Sequence, residues 1–213
     1  MRVDVDRDGR NVSARRVTAI QEGEVIFSLS ASFQTAGDGP ELDHGLPEGT
    51  PDPESITQLP PGFMGPGGPF EIRPVSESPG RGFGDTYWAR TRLPMPDDPA
   101  LHACVLSYLS DLGTGLGELR AQVQGMQNPS LDHAVWFHRH IRMDDWVLFD
   151  MRPLSAHGGR CLYTGALYGR DGTHGATIVQ ECLFRPIPPE MLAMMQARMA
   201  EAAAAAETAE ATS

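Results

Sequence analysis

Apolar and polar residues alternate with a period of two near the start of the chain. Val25, Phe27, Leu29, Ala31 and Phe33 interleave with Ile26, Ser28, Ser30 and Ser32, which gives one apolar and one mostly polar face. Asp8-Gly9 follows Val3 and Val5, and Gln21-Glu22-Gly23 follows the Asn11–Ile20 run, so both junctions carry turn residues. Residues 2–33 therefore predict a three-stranded meander, with Arg15-Arg16 interrupting the alternation of its middle strand. No helical pattern accompanies it, and so small a sheet with one apolar face does not stand alone.

Residues 35–81 lose periodicity and are rich in Pro and Gly, which reads as a linker with room for a short turn or docked segment at Asp52-Pro53-Glu54 and at Gln58-Leu59-Pro60-Pro61-Gly62. Gly82 to Arg92, with Tyr87-Trp88-Ala89-Arg90, predicts a strand. A helical period then sets in from Pro96 to Asp111. Asp98 suits its N-cap and Pro99 its first turn, where a missing N–H costs nothing. Leu101, Val105, Tyr108 and Leu109 make the apolar stripe, and Gly113 and Gly115 end the helix. Strands are predicted at Ser130–Arg139, Trp146–Asp150, Arg160–Tyr168 and Thr173–Phe184, the last two joined by the turn Gly169-Arg170-Asp171-Gly172. The tail from Pro188 is helical by propensity over Met191–Ala206 and low in complexity over Ala202–Ser213. A weak repeat relates Gly9-Arg10 through Phe33 to Gly159-Arg160 through Phe184; only the second copy has a helix before it.

The chain has 213 residues and a net charge of -11. The length allows a substantial core, and the acidic balance argues against nucleic acid as a partner. Cys104, Cys161 and Cys182 lie far apart in apolar runs and read as buried thiols of a reducing compartment. Met1-Arg2-Val3-Asp4 opens no signal segment and no apolar run reaches membrane-spanning length, so a cytoplasmic protein without a membrane partner is expected.

The chemistry narrows by elimination. There is no nucleotide-binding glycine loop and no Gly-x-Ser-x-Gly elbow. Asp132, His133, His138 and His140 invite a metal reading, but alternation puts His133 on the opposite face from the other three. No metal or cofactor is therefore expected. Gln180 shares a face with Ile178, Cys182 and Phe184, so it is either a satisfied core amide or a polar group set in an apolar cleft. Ser130 is either a turn residue or a further polar group. Asp111 is either a solvated acid or a carboxylate held where the helix dipole opposes its charge. If the three converge, they suit hydrolysis of an activated acyl compound by water: the carboxylate takes a proton while the neutral donors hold water or the developing oxyanion. A thioester fits, because its thiolate leaves without strong acid help.

These residues resemble a known family. Ser130-Leu131-Asp132-His133-Ala134-Val135-Trp136-Phe137-His138-Arg139 is similar to the Ser-Leu/Ile-Asp-His-x-x-Trp-Phe-His-Arg signature of the acyl-CoA thioesterase II family. Asp144-Asp145-Trp146-Val147-Leu148, Gly158-Gly159-Arg160, Arg170-Asp171-Gly172 and Val179-Gln180-Glu181 extend the resemblance, as does Arg15-Arg16-Val17-Thr18-Ala19-Ile20-Gln21 near the start. It covers most of residues 3–186 outside the linker. The resemblance implies an α+β double hotdog, in which each of two modules wraps an antiparallel sheet around a helix. It implies hydrolysis of acyl-CoA to fatty acid and CoA without a cofactor, by an Asp, a Ser or Thr and a Gln that fall on Asp111, Ser130 and Gln180. Arg15, Arg16, Arg139 and Arg160 are candidates for the CoA phosphates.

The expected organisation is a partial first module over 1–34, a linker over 35–81, a second module over 82–187 and a helical tail over 188–213. The family's first module normally starts upstream with its own helix, so a shortened first module is expected here, and its open sheet edge favours a homo-oligomer. Two alternatives stand beside hydrolysis: a catalytically weak acyl-CoA-binding hotdog, and a hotdog enoyl-CoA hydratase or dehydratase using His102 on the helix.

Overall fold

The computed structural model describes residues 1–57, 68–75, 85–112, 115–123, 125–194 and 197. The chain divides into two compact units, Met1–Leu42 and Asp43–Ser213. The first unit is a meander of β1 (Arg2–Asp8), β2 (Val12–Gln21) and β3 (Glu24–Gln34). The β2–β3 turn takes positive φ at both Glu22 and Gly23, the twist that suits a two-residue hairpin. No residue of this unit is buried, and Val25, Phe27, Leu29 and Phe33 lie exposed along β3.

The second unit contains β4 (Phe70–Pro74), β5 (Thr86–Thr91), α1 (Pro99–Leu112), β6 (Met126–Gln127), β7 (Ser130–Phe137), β8 (Val147–His157), β9 (Arg160–Gly169), β10 (His174–Leu183) and β11 (Arg185–Pro186). Six of these strands form one antiparallel sheet in the order β4-β5-β8-β9-β10-β7, while β6 and β11 pair separately. Side chains alternate across the sheet. Tyr87, Ala89, Val147, Phe149, Leu167 and Ile178 join Leu106 and Leu109 of α1 in the main core, and Trp88 and Leu148 point to the other face.

That other face corrects the linker expected over 35–81. Residues 43–56 dock on it: Leu46 and Ile56 pack with Trp88, Trp146 and Leu148. Trp88 Nε1 donates to the Pro51 carbonyl at 3.0 Å, and Trp146 Nε1 donates to Glu54 Oε1 at 2.9 Å. A buried indole N–H needs such a partner, so a segment without periodicity is ordered by the sheet it covers. Within the same stretch, Phe70–Pro74 forms an edge strand on β5. Residues 58–67 and 76–84, including the predicted turn at Gln58–Gly62, lie outside the described residues, as does the low-complexity end of the tail. The tail is helical over 189–194.

The helix forms where predicted; Leu109 and Val105 of the expected stripe pack in the core, but the inward face is rotated relative to that stripe. Asp98 Oδ1 caps the Ala100 amide at 2.9 Å. The buried residues are His102, Leu106, Leu109 and Ser110, whereas Leu101 and Tyr108 of the expected stripe are 39% and 55% exposed. Each polar member has a hydrogen-bond partner, while His102 Nε2 is buried without one among the described residues. His102 Nδ1 accepts from the Met143 amide at 3.0 Å, and Ser110 Oγ has two partners of its own. Cys161 and Cys182 are buried as expected, but Cys104 is exposed on the helix; all three are free thiols. Among the described residues no helix is long and apolar enough to cross a membrane.

The approach to the helix is fixed by Asp144. Its carboxylate accepts from the Met95 amide at 2.9 Å and from Arg142 Nε and Nη2 at 3.0 Å each. The hydrogen-bonded Arg142 guanidinium holds this carboxyl down at about 2, from an ordinary 3.8. The charged form therefore favours the fold, and its contribution is complete above the unfolded value and lost as pH falls through the folded one. Asp144→Asn should lower the thermal midpoint at pH 7, and the gap to the parent protein should close between roughly pH 4 and pH 2, read by circular dichroism melts.

Candidate active site

The site is assembled at the C-terminal end of α1, where the helix meets β7 and the neighbouring β10. Asp111 sits in the last turn, exposed. Ser130 opens β7, and Gln180 lies in β10 at 1% exposure. Ser130 Oγ donates to Asp111 Oδ1 at 2.9 Å, and Gln180 Nε2 donates to the same oxygen at 2.9 Å. Gln180 Nε2 also donates to Ser130 Oγ at 2.7 Å. Every proton in this triangle has one destination: two from the amide, one from the hydroxyl. Asp111 Oδ2 has no hydrogen-bond partner among the described residues. The arrangement presents one free carboxylate oxygen and restrains the other.

A β-bulge makes this possible. Ile178, Gln180 and Cys182 of β10 pair with Val135, His133 and Ser130 of β7, so Leu131 is the extra residue between Ser130 and Asp132. Simple alternation would send Ser130 to the face of Asp132. The bulge returns it to the face of His133 and Gln180, toward Asp111. Gln180 is flanked in the ladder by His133 on β7 and Tyr163 on β9. Burial pushes the Tyr163 phenol well above its ordinary pKa, and the charges of Cys182 and Asp111 push the same way, so a neutral aromatic wall borders the triangle.

The other expected residues separate. His133 faces the helix and pairs with Ser110, whereas His138 Nε2 meets Thr177 Oγ1 at 2.8 Å and its ring lies edge-on to His174. Burial, with His174 and Arg139 nearby, lowers the His138 pKa. Among the described residues no group of three or more His, Cys, Asp or Glu is arranged to hold a metal ion. Arg15 pairs with Asp8 at 2.7 Å and Arg16 with Asp6 at 2.9 Å in the first unit. Arg139 lies 3.5 Å from Asp43, beside the His174 end of the β9–β10 hairpin, while Arg160 pairs with Glu181 at 3.4 Å near its other end. Arg139 and Arg160 thus do not share one anion site. Arg160 borders an open groove of about 310 Å³ with Leu119, Val123, Met126 and Phe184, which none of Asp111, Ser130 and Gln180 lines. The Ser110–His133 contact was not legible in the sequence; the only signal was that His133 lies on the face opposite Asp132.

A family model described as "Acyl-CoA thioesterase C-terminal domain" matches residues 42–184. The chain belongs to the acyl-CoA thioesterase family. Human acyl-coenzyme A thioesterase 8 is 32% identical over 215 residues, covering 87% of this chain and 67% of that protein. Acyl-CoA thioesterase 2 of Haemophilus influenzae is 32% identical, with 86% and 72% covered. The crystal structure of an acyl-CoA thioesterase II from Mycobacterium marinum superposes with a TM-score of 0.73 at 39% identity, covering 88% of this chain and 73% of that one. A protein from Alicyclobacillus acidocaldarius described as having a hot dog fold is only 18% identical but reaches a TM-score of 0.68, so the architecture extends to distant sequences. In this acyl-CoA thioesterase family member the match of 42–184 begins inside the expected linker, in agreement with the docking of residues 43–56 on the sheet.

The chain leaves α1 through Gly115, whose backbone lies against the sheet. A Cβ there would stand 2.9 Å from Tyr163 Cδ2 and 3.0 Å from the Arg152 amide nitrogen. Gly115→Ala should lift this exit off Tyr163 and shift Asp111. Turnover should fall by about tenfold or more, for a loss of stability of about 1–3 kcal/mol in urea unfolding.

Proposed function

We propose that this chain hydrolyses fatty acyl-CoA to fatty acid and CoA, with Asp111 activating the water and Ser130 and Gln180 holding the carboxylate in place. The observation that carries this reading is the pair of neutral donors on Asp111 Oδ1, which leaves Oδ2 unpartnered and exposed among the described residues. A water on Oδ2 gives up its proton to the carboxylate as its oxygen attacks the thioester carbonyl. The tetrahedral intermediate collapses with breakage of the C–S bond, and the thiolate of CoA leaves. Ser130 and Gln180 spend their protons on Asp111 and on each other, so their part is to orient the base.

The competing chemistries lose ground on particular contacts. A hydratase or dehydratase would need a histidine that reaches substrate, but His102 is fully buried and its Nδ1 accepts from the Met143 amide. A binding-only protein has no use for two neutral donors closed on one carboxylate oxygen. Three free thiols, Cys104 exposed among them, support action in the cytoplasm, where thiols stay reduced. Strand β7 is a sheet edge with Trp136 and Phe137 exposed, which supports self-association of the chain.

Release of CoA thiol from a medium- or long-chain acyl-CoA, followed with a thiol reagent, tests the assignment. Asp111→Asn should lower kcat by about a hundredfold or more with an unchanged melting midpoint, since it keeps the shape and removes the base. Parent-like turnover in that variant would overturn the reading. Ser130→Thr should stay active, as it keeps the hydroxyl, while Ser130→Ala should not. Turnover should also survive dialysis against EDTA, and its loss with restoration by added metal would point to a different mechanism.

A further inference from the structure

The proposed base stands on the last turn of α1, and something must hold that turn at a set distance from the sheet. The triangle itself is a poor anchor, because Asp111 and Ser130 are exposed. The residue before Asp111 makes a different kind of contact. Ser110 is fully buried. Its hydroxyl donates to the Ser107 carbonyl at 2.9 Å and lies 2.8 Å from His133 Nε2. A hydroxyl has one proton, so meeting both contacts gives that proton to the carbonyl and makes His133 Nε2 the donor to Ser110 Oγ. The Nδ1 of His133 is buried with no partner among the described residues.

We infer that His133, acting through Ser110, is the positioning residue that sets Asp111 against Ser130 and Gln180. The inference rests on the hydrolytic reading above and adds a member to its site. His133 is placed for this task on two elements at once. It is the direct ladder partner of Gln180 across β7 and β10, and it lies three residues after Ser130 on the strand that supplies the hydroxyl. Its hydrogen bond to the helix therefore couples the strand carrying Ser130, and the strand beside Gln180, to the turn carrying Asp111. The helix–sheet spacing at this end is set by one half-buried imidazole and one fully buried serine oxygen, 2.8 Å apart. Misplacing a catalytic group by about 1 Å costs on the order of a hundredfold in rate, so a brace one residue away from the base controls turnover while touching no substrate.

The test compares His133→Leu, His133→Gln, Ser110→Ala and the Ser110→Ala/His133→Leu double variant, with Asp111→Asn as reference. His133→Leu and Ser110→Ala should each lower kcat by about tenfold or more with KM within about threefold, at concentrations and temperatures where melts show the protein folded. His133→Gln keeps an N–H near the position of Nε2 and should recover at least about a third of the parent kcat. The double variant should be no slower than the worse single variant, because both changes break one contact. The inference is overturned if His133→Leu keeps a parent-like kcat, if the loss falls on KM, if His133→Gln is as slow as His133→Leu, or if the double variant shows the product of the two single losses. Any of these with an inactive Asp111→Asn would remove the brace and leave the hydrolytic reading intact, whereas an active Asp111→Asn would remove both.

Discussion

A carboxylate in the last turn of a helix faces the negative end of the helix dipole, and that position works against its charge. Asp111 occupies such a position with one oxygen taken up by two neutral donors, the Ser130 hydroxyl and the Gln180 amide. The donors come from strands that are far apart in the chain and adjacent in the sheet. Because each proton of the triangle has one acceptor, the amide and the hydroxyl each have one productive orientation. The remaining oxygen of Asp111 has no hydrogen-bond partner among the described residues.

The rest of the second unit is arranged so that the triangle can close. Helix α1 is held at its start by Asp144, which gathers Met95 and Arg142, and in its middle by Leu106 and Leu109 in the core. His102 and Ser110 sit on the same buried face, where His102 Nδ1 accepts from the Met143 amide and Ser110 Oγ meets His133. The opposite face of the sheet is closed by residues 43–56, whose Pro51 and Glu54 satisfy the indole N–H groups of Trp88 and Trp146. The sheet is thus buried on both sides at β5 and the start of β8, and its core face is the floor of the site. Tyr163 adds to that floor and leaves room beside it only for a glycine at position 115.

Much of this was legible in the residues. The cap at Asp98, the strands of the Asp-Gly hairpin and the inward side of Gln180 follow from local chemistry and period, and each appears in the structure. Apolarity alone marks only part of the buried helix face: Leu101 and Tyr108 are apolar yet exposed, whereas His102 and Ser110 are polar yet buried, with Met143 and His133 as partners distant in sequence. The linker was misjudged for a related reason. Residues 43–56 have no periodicity of their own, and two tryptophans distant in sequence give them their order.

The sequence by itself determined which residue types are present and how they are spaced: a capped helix ending in an acid, an amide on an inward strand position, and a serine ahead of an aromatic strand. Those are local properties, set by backbone propensity and side-chain period. Only the tertiary structure decided that they meet. A single extra residue, Leu131, shifts the β7–β10 register and turns Ser130 to the face of Gln180, and the half-buried His133 imidazole meets Ser110 at the end of the helix. Register and helix–sheet spacing depend on contacts between segments tens of residues apart, and no short-range pattern encodes them.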